Sequence, residues 1–213
     1  MSDFSTRRVM MVDTQVRPSD VTKFPIIAAM LAVPRESFVP AAQREAAYVG
    51  ANVALSPNRV VLEARSLAKL LDFLDIQPGD RVMDLAAGYG YAAAVLAEMG
   101  CDVVAVEEDA AMAEAGRTRL AGQARMVTAP LTAGAPEQGP YDAIVVQGAV
   151  EQIPDTILAQ LNEGGRIGAL FMQGPLGTAR IGLKQDGVVN WRNVFNATAP
   201  VLPGFAARRG FVL

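Results

Sequence analysis

The feature that most constrains the fold is the stretch Arg81–Tyr91, followed by an apolar segment that ends at Glu107. It predicts a buried strand ending near Asp84, a turn through Gly88 and Gly90 that opens a helix, and a second buried strand. Open α/β sheets hold adenosine-bearing cofactors in this way, because the glycines let the backbone approach the ligand. The acid at the end of the second strand then accepts the ribose hydroxyls. The stretch therefore predicts a nucleoside-cofactor site.

The position of Asp84 before the glycines bears on which cofactor is bound. A pyrophosphate favours bare N–H groups at a helix N-terminus, whereas an acid in front of the loop suits a cationic, phosphate-free ligand such as S-adenosylmethionine. The spacing Gly88-x-Gly90-x-x-Ala93 also matches the dinucleotide fingerprint, so an NAD-linked dehydrogenase stays open as an alternative. About 80 residues precede the motif, which is long for a simple dehydrogenase. We therefore predict S-adenosylmethionine as cofactor, with S-adenosylhomocysteine as its product.

Strand and helix patterns alternate after residue 80. Buried strands are predicted at 81–85, 102–106, 124–128, 142–146 and 165–172, and helices at 90–99, 109–121 and 154–161. Alternation at this spacing predicts a parallel sheet covered on both faces. The predicted fold class is therefore a doubly wound, mostly parallel α/β sheet of the Rossmann-like, S-adenosylmethionine-dependent methyltransferase type, with an N-terminal helical and loop segment.

The flanking regions complete one domain. Apolar spacing predicts helices over 21–33, 41–49 and 63–74, with a loop over 50–58, and a hairpin over 181–191 that turns at Asp186-Gly187. We expect a single domain over residues 1–213. Its parts are an N-terminal lid or substrate segment (1–77), a cofactor-binding sheet (78–175), and a C-terminal hairpin and tail (176–213).

The absence of histidine limits the chemistry. Zinc sites built on histidine, Ser-His-Asp triads and histidine general bases are all excluded. Methyl transfer to a carboxylate suits this limit, because a carboxylate is already ionised at neutral pH and needs no base. No metal is expected as a partner.

Composition also limits the partners. The formal net charge is −3 and the sequence pI is about 5.1, so no basic face is implied and nucleic acid is not expected as a partner. The N-terminus lacks an apolar signal core and no run of 18 apolar residues occurs, so no membrane association is expected. A single cysteine, Cys101, excludes an intrachain disulfide and fits a reducing cytoplasm.

Motifs outside the cofactor loop resemble those of the protein-L-isoaspartate O-methyltransferase family. Ala29–Pro40, with the sequence AMLAVPRESFVP, is similar to the family signature Ala-Met-x-x-Val-Pro-Arg-x-x-Phe-Val-Pro. Met11–Val16 is similar to the family's opening Met-Val-x-x-Gln-Ile/Val. Ala47-Tyr48, Pro78–Val82 and Pro140–Val145 follow in the family's order, so the resemblance runs from about residue 11 to residue 167.

The resemblance implies both an activity and a partner. Such proteins methylate the α-carboxyl group of L-isoaspartyl residues in damaged proteins, which starts repair through a succinimide, so the implied partner is a protein or peptide carboxylate. The cofactor motif and the resemblance together predict the donor-binding residues, which are Asp84, Ala86, Gly88, Gly90, Tyr91, Glu107, Glu108, Pro130, Leu131 and Gln147.

Two segments depart from the family pattern. Where the family carries Gln-Thr-Ile-Ser, with hydroxyls beside the substrate carboxyl, ungapped counting places Arg59–Leu62. Ser56 could replace a hydroxyl only through a six-residue deletion and a compensating insertion. Ala129-Pro130-Leu131 stands where the family's Gly-Asp-Gly reaches the adenine, and proline has no N–H to donate.

The departures leave the acceptor open. Arg59 and Arg65 flank the altered segment and are predicted to anchor a substrate carboxylate, because a guanidinium binds carboxylates through two hydrogen bonds. Glu63 is predicted to pair with one of them. No catalytic side chain is assigned. The alternatives are a non-catalytic binding or regulatory protein and a methyltransferase for another carboxylate.

Overall fold

The computed structural model describes residues 3–207, and its centre is a seven-stranded sheet. The outer ends of the predicted first and last segments, residues 1–2 and 208–213, lie outside the described residues. The helices are α1 (Phe4–Met11), α2 (Phe24–Ala32), α3 (Ala64–Leu74), α4 (Tyr91–Glu98), α5 (Ala110–Leu120) and α6 (Asp155–Leu158). The strands are β1 (Val53–Ser56), β2 (Arg59–Val61), β3 (Arg81–Leu85), β4 (Asp102–Glu107), β5 (Arg125–Thr128), β6 (Tyr141–Val150), β7 (Leu161–Gln173), β8 (Leu176–Gln185) and β9 (Val188–Asn196).

The large sheet has the order β5-β4-β3-β6-β7-β8-β9. Strands β3 to β7 pair in parallel, and β8 and β9 extend the sheet in antiparallel fashion. The chain winds outward from β3 to β4 and β5, then crosses to β6 on the other side of β3. Ligands of open α/β sheets bind at such a reversal, outside the carboxyl ends of the strands. The predicted fold class is confirmed.

The central strands are apolar on both faces, because helices cover each side. Val82 and Ala105 belong to one buried cluster, whereas their chain neighbours Met83 and Val104 belong to a second. This alternation is the period of two that a strand imposes on its side chains. Near-continuous burial explains why these strands could be predicted from apolar runs alone.

Helix bounds follow local signals. Asp109 caps α5 by accepting hydrogen bonds from the amides of Ala111 and Met112, each at 2.9 Å. The predicted helix over 154–161 is wrong in length, since α6 ends at Leu158 and β7 begins at Leu161. Gly164 and Gly165 lie inside this long, irregular strand.

The N-terminal segment is more ordered than the sequence indicated. Helix α1 and the π-helical turn after it, Val12–Val16, were not predicted, and the predicted helix over 41–49 is a 3₁₀ segment at Ala41–Ala46. The predicted loop over 50–58 is also wrong, because β1 and β2 form a separate antiparallel hairpin there. Pro57 followed by Asn58 at φ +61° supplies the turn, the pattern of a type II turn.

The C-terminal hairpin is confirmed, with Asp186 and Gly187 at φ +53° and +77° as the left-handed pair of its turn. Within residues 3–207, no helix combines the length and the apolarity needed to cross a bilayer.

Candidate active site

Three polar side chains are buried near the carboxyl ends of neighbouring strands: Asp84 on β3, Glu107 on β4 and Gln147 on β6. Asp84 and Glu107 lie on the same sheet face as Val82 and Ala105, by the alternation of strand side chains. Buried carboxylates are costly unless they are paired or bind a ligand. These residues therefore mark the functional edge of the sheet.

The loop between β3 and α4 has an unusual backbone. Ala86, Gly88 and Gly90 have φ values of +66°, +59° and +90°. Left-handed backbone is easy for glycine and costs other residues about 1–2 kcal/mol, so Ala86 carries strain. The loop brings backbone amides to the edge of the sheet, which is what close approach to a ligand requires.

Glu107 is fully buried, and both its oxygens are used. One oxygen accepts hydrogen bonds from Arg59 Nη1 at 2.6 Å and from the Asp109 amide at 2.9 Å. The other accepts from the Gly88 amide at 2.7 Å and from Arg59 Nη2. An ionised carboxylate has about four acceptor positions, so the hydrogen-bonding capacity of Glu107 is filled.

The hairpin β1–β2 covers this edge of the sheet. Arg59, at the start of β2, is 3% exposed and its guanidinium grips Glu107 through two hydrogen bonds. Leu55 on β1 lies directly over the loop, since a Cβ added at Gly88 would come within 2.5 Å of Leu55 Cδ1. Arg59, which is predicted to anchor the substrate, thus binds Glu107, the acid that is predicted to accept the ribose hydroxyls.

Asp84 contrasts with Glu107. It is fully buried, and neither of its oxygens makes a hydrogen bond within the described chain. Burial raises the pKa of Asp84 to about 7, while the nearby Gln147 side chain and Ala93 amide lower it by less. The Nε2 atom of Gln147 also lacks a partner among the described residues. A buried acceptor and a buried donor therefore remain available to a ligand.

Tyr91 and Arg35 fix the start of α4. The Arg35 guanidinium lies 4.7 Å from the centroid of the Tyr91 ring, and both side chains are buried. Arg35 also donates hydrogen bonds to the carbonyls of Ala47 at 2.6 Å and Leu62 at 2.7 Å. The arginine of the sequence signature therefore ties the end of the hairpin to the cofactor loop.

A cleft of about 590 Å³ is lined partly by residues that flank the hairpin. Asn52, Glu63, Leu176, Thr178 and Asn196 contribute to its lining. The predicted pairing of Glu63 is confirmed, with Arg65 as its partner at 3.7 Å. Arg65 stands at the margin of the cleft, since its Nη1 lies 3.5 Å from the Asn196 carbonyl.

The remaining predicted residues are dispersed. Glu108 and Pro130 are exposed, whereas Leu131 is fully buried in the second apolar cluster. Val60 and Leu62, at the positions of the family hydroxyls, are buried as well. Sequence reasoning named Arg59 and Glu107 but missed their contact and the role of Leu55. The short apolar runs Val53–Leu55 and Val60–Leu62 on the two sides of Pro57-Asn58 were the available signal for the hairpin.

The buried polar atoms fit an S-adenosylmethionine molecule in part. The unpartnered oxygens of Asp84 and the amide of Gln147 suit the ammonium and carboxylate of its amino-acid end. Glu107, which the Gly88 amide holds in place, suits the ribose hydroxyls, but only when Arg59 leaves the carboxylate. Within residues 3–207, no cluster of three or more potential metal ligands occurs.

Similarity to known proteins agrees with this geometry. A family model described as Protein-L-isoaspartate(D-aspartate) O-methyltransferase matches residues 8–176. A protein-L-isoaspartate O-methyltransferase of Methylorubrum extorquens is 40% identical over 168 residues, covering 78% of this chain and 74% of its own.

Two solved structures share the fold. A protein-L-isoaspartate O-methyltransferase aligns with a TM-score of 0.80 at 22% identity, covering 92% of this chain and 66% of its own. A putative Plasmodium falciparum enzyme of the same kind, in complex with S-adenosyl-L-homocysteine, aligns with a TM-score of 0.75 at 16% identity, covering 95% of this chain and 99% of its own. Because both identities are below 25%, these two structures support the fold alone.

Proposed function

Because the chain belongs to the protein-L-isoaspartate O-methyltransferase family, we propose that it transfers a methyl group from S-adenosylmethionine to the α-carboxylate of L-isoaspartyl residues in proteins or peptides. The observation that carries the proposal is the convergence of Asp84, Glu107 and the glycine loop at the carboxyl edge of the sheet. Both carboxylates are buried, and one lacks any partner among the described residues.

The donor-binding residues have separate roles. When bound, S-adenosylmethionine supplies an electrophilic methyl group on a sulfonium. Glu107, oriented by the Gly88 amide, would hold the ribose hydroxyls, and Asp84 would hold the ammonium through the oxygens that now lack partners. Gln147 would donate its unpartnered N–H to the carboxylate at the amino-acid end of the same ligand. The residues on β3, β4 and β6 thus fix one end of the reacting pair.

The acceptor requires orientation rather than activation. A carboxylate is ionised at neutral pH and attacks without a base, which agrees with a chain that has no histidine. The protein contributes by aligning nucleophile, methyl group and sulfur, and alignment alone can supply much of a rate enhancement.

We place the acceptor peptide in the cleft lined by Asn52, Glu63 and Thr178. Arg65 at its margin is 40% exposed and would bind the peptide from there. The hairpin that borders this cleft also covers Glu107, so donor and acceptor would meet beneath it.

The test is methyl incorporation from labelled S-adenosylmethionine into an isoaspartyl peptide and its aspartyl twin. We expect label in the isoaspartyl peptide alone, as a base-labile methyl ester, and its loss in a Glu107→Gln variant. Background counts in both peptides would refute the proposed activity. Equal label in both would retain methyl transfer but refute the isoaspartyl selectivity.

A further inference from the structure

Arg59 occupies the positions that a ribose needs. Its two Nη atoms donate to the two oxygens of Glu107, and the amides of Gly88 and Asp109 take the remaining acceptor positions. A ribose offers two neighbouring hydroxyl donors, the same number that Arg59 supplies. The two sets of donors exclude each other, because an ionised carboxylate accepts about four hydrogen bonds.

Sterics reinforce this exclusion. Leu55 Cδ1 lies 2.5 Å from the position that a Cβ of residue 88 would take, so its methyl group crowds the space next to the glycine. A ligand that approached the Gly88 backbone would meet Leu55 first. Both blocking side chains belong to the hairpin, one on each strand.

The hairpin is a separate structural unit, although its side chains Val53, Val60 and Val61 are buried against the core. It forms its own two-stranded sheet, without a hydrogen-bonded partner strand in the seven-stranded sheet, and an isolated two-stranded hairpin is marginally stable by itself. Its ends are fixed, since Asn52 binds the carbonyl of Thr198 and the amide of Glu63, and Arg35 binds the carbonyl of Leu62. Movement between fixed ends would lift Arg59 and Leu55 together.

Moving Arg59 away from Glu107 leaves a guanidinium without a counter-ion. An unpaired charge in a buried position is strongly unfavourable, so a second carboxylate must replace Glu107 if Arg59 is to stay within the protein. The acceptor is itself a carboxylate. The cleft where we place it is lined in part by Asn52, which directly precedes the hairpin.

We propose that Arg59 exchanges partners during binding: the donor's ribose displaces it from Glu107, the hairpin 53–61 opens, and the acceptor carboxylate takes the place of Glu107 on the guanidinium. This inference rests on the proposed function. Arg59 then has two roles: it blocks Glu107 while the donor is absent, and it binds the acceptor carboxylate once the donor is bound. Donor and acceptor then favour each other's binding, because each stabilises the same open hairpin.

The experiment measures S-adenosylhomocysteine binding by calorimetry, with and without a saturating isoaspartyl peptide. For the unmodified protein we expect the peptide to tighten binding about tenfold, within the usual range of coupling between sites. Hydrogen exchange of the amides of residues 53–61 should rise when the ligand binds. In Arg59→Gln the ligand alone should bind at least about tenfold more tightly than in the unmodified protein, and the peptide should add nothing.

Two further variants keep the test decisive. Leu55→Ala leaves the ion pair in place but empties the space over Gly88, so binding without peptide should tighten even if Arg59→Gln fails to fold. Arg17→Gln removes the same charge from an exposed pair with Asp13 and should match the unmodified protein.

The outcomes separate the two proposals. If the unmodified protein binds the ligand while residues 53–61 keep their protection, and neither Arg59→Gln nor Leu55→Ala binds more tightly, the partner exchange is refuted and the activity stands. If no variant binds the ligand at millimolar concentration, both the exchange and the proposed function are refuted.

Discussion

The guanidinium of Arg59 and the carboxylate of Glu107 form a buried ion pair that joins a separate hairpin to the end of the central strand β4. The pair lies at the end of β4, where the cofactor motif predicts that the ribose of a nucleoside ligand binds. The guanidinium of Arg59 thus donates the hydrogen bonds that we expect the ribose hydroxyls to donate to Glu107 when the ligand is bound. The carboxylate of the proposed donor site is therefore occupied by the protein's own Arg59.

The effects of changing Arg59 and Glu107 on the free energy of unfolding should be strongly coupled. Removing one member of a buried ion pair typically costs about 3–5 kcal/mol, because the other charge is left without compensation. We expect Arg59→Met and Glu107→Gln each to lower the free energy of unfolding by this amount. The double variant should lose much less than the sum, as urea denaturation would measure. Additive losses would contradict the pairing.

Asp84 should make stability depend on pH. Its pKa is raised to about 7 by burial, so the folded state holds a proton that the unfolded chain releases near pH 4. Stability gained from this proton is complete below about pH 4 and is lost as the pH rises through about 7. Asp84→Asn removes this dependence.

We expect Asp84→Asn to match the unmodified protein near pH 4 and to exceed it at pH 8 by up to about 4 kcal/mol, measured by denaturation across pH. The same change should weaken S-adenosylhomocysteine binding at pH 8 by roughly tenfold or more, because a charged hydrogen-bond acceptor is lost. A variant that is less stable at pH 8 would contradict the unpartnered carboxylate.

Gly88 should tolerate alanine less well than Gly79 does. Both have left-handed backbone, at φ +59° and +89°, which costs alanine about 1–2 kcal/mol. Gly79 faces open space, whereas a Cβ at Gly88 meets Leu55. We expect Gly88→Ala to lose about 1 kcal/mol more stability than Gly79→Ala. Adding Leu55→Ala should remove this excess, and equal losses in the two single variants would contradict the packing of the hairpin on the loop.

Arg65 should affect acceptor binding alone. Its pair with Glu63 is partly exposed, so Arg65→Ala should change stability little. We expect the KM for an isoaspartyl peptide to rise about tenfold, since a charge-assisted hydrogen bond is lost, while S-adenosylhomocysteine affinity stays constant. Arg192→Ala, which removes an exposed arginine of β9, is the control. An unchanged KM would remove Arg65 from the acceptor site.

The cofactor edge could be predicted from the sequence because its signals are local. Apolar runs gave β3 and β4, the glycines gave the left-handed turn, and the acids fell at the strand ends. Each of these depends on residues close together in the chain.

The closure of the site could not be predicted in the same way. The contact between Arg59 and Glu107 joins residues 48 positions apart, and it depends on a short hairpin at residues for which the sequence predicts a loop. Leu55 and Gly88 meet across a similar distance in sequence. Periodicity reports which face of an element is buried, but not which element covers it.

The most direct measurement is a crystal structure of the protein grown with S-adenosylhomocysteine. We expect the ribose hydroxyls on the carboxylate of Glu107, the amino-acid end at Asp84, and Arg59 withdrawn together with the rest of residues 53–61. A structure in which Arg59 still holds Glu107 in excess ligand, with Leu55 over Gly88, would contradict this expectation.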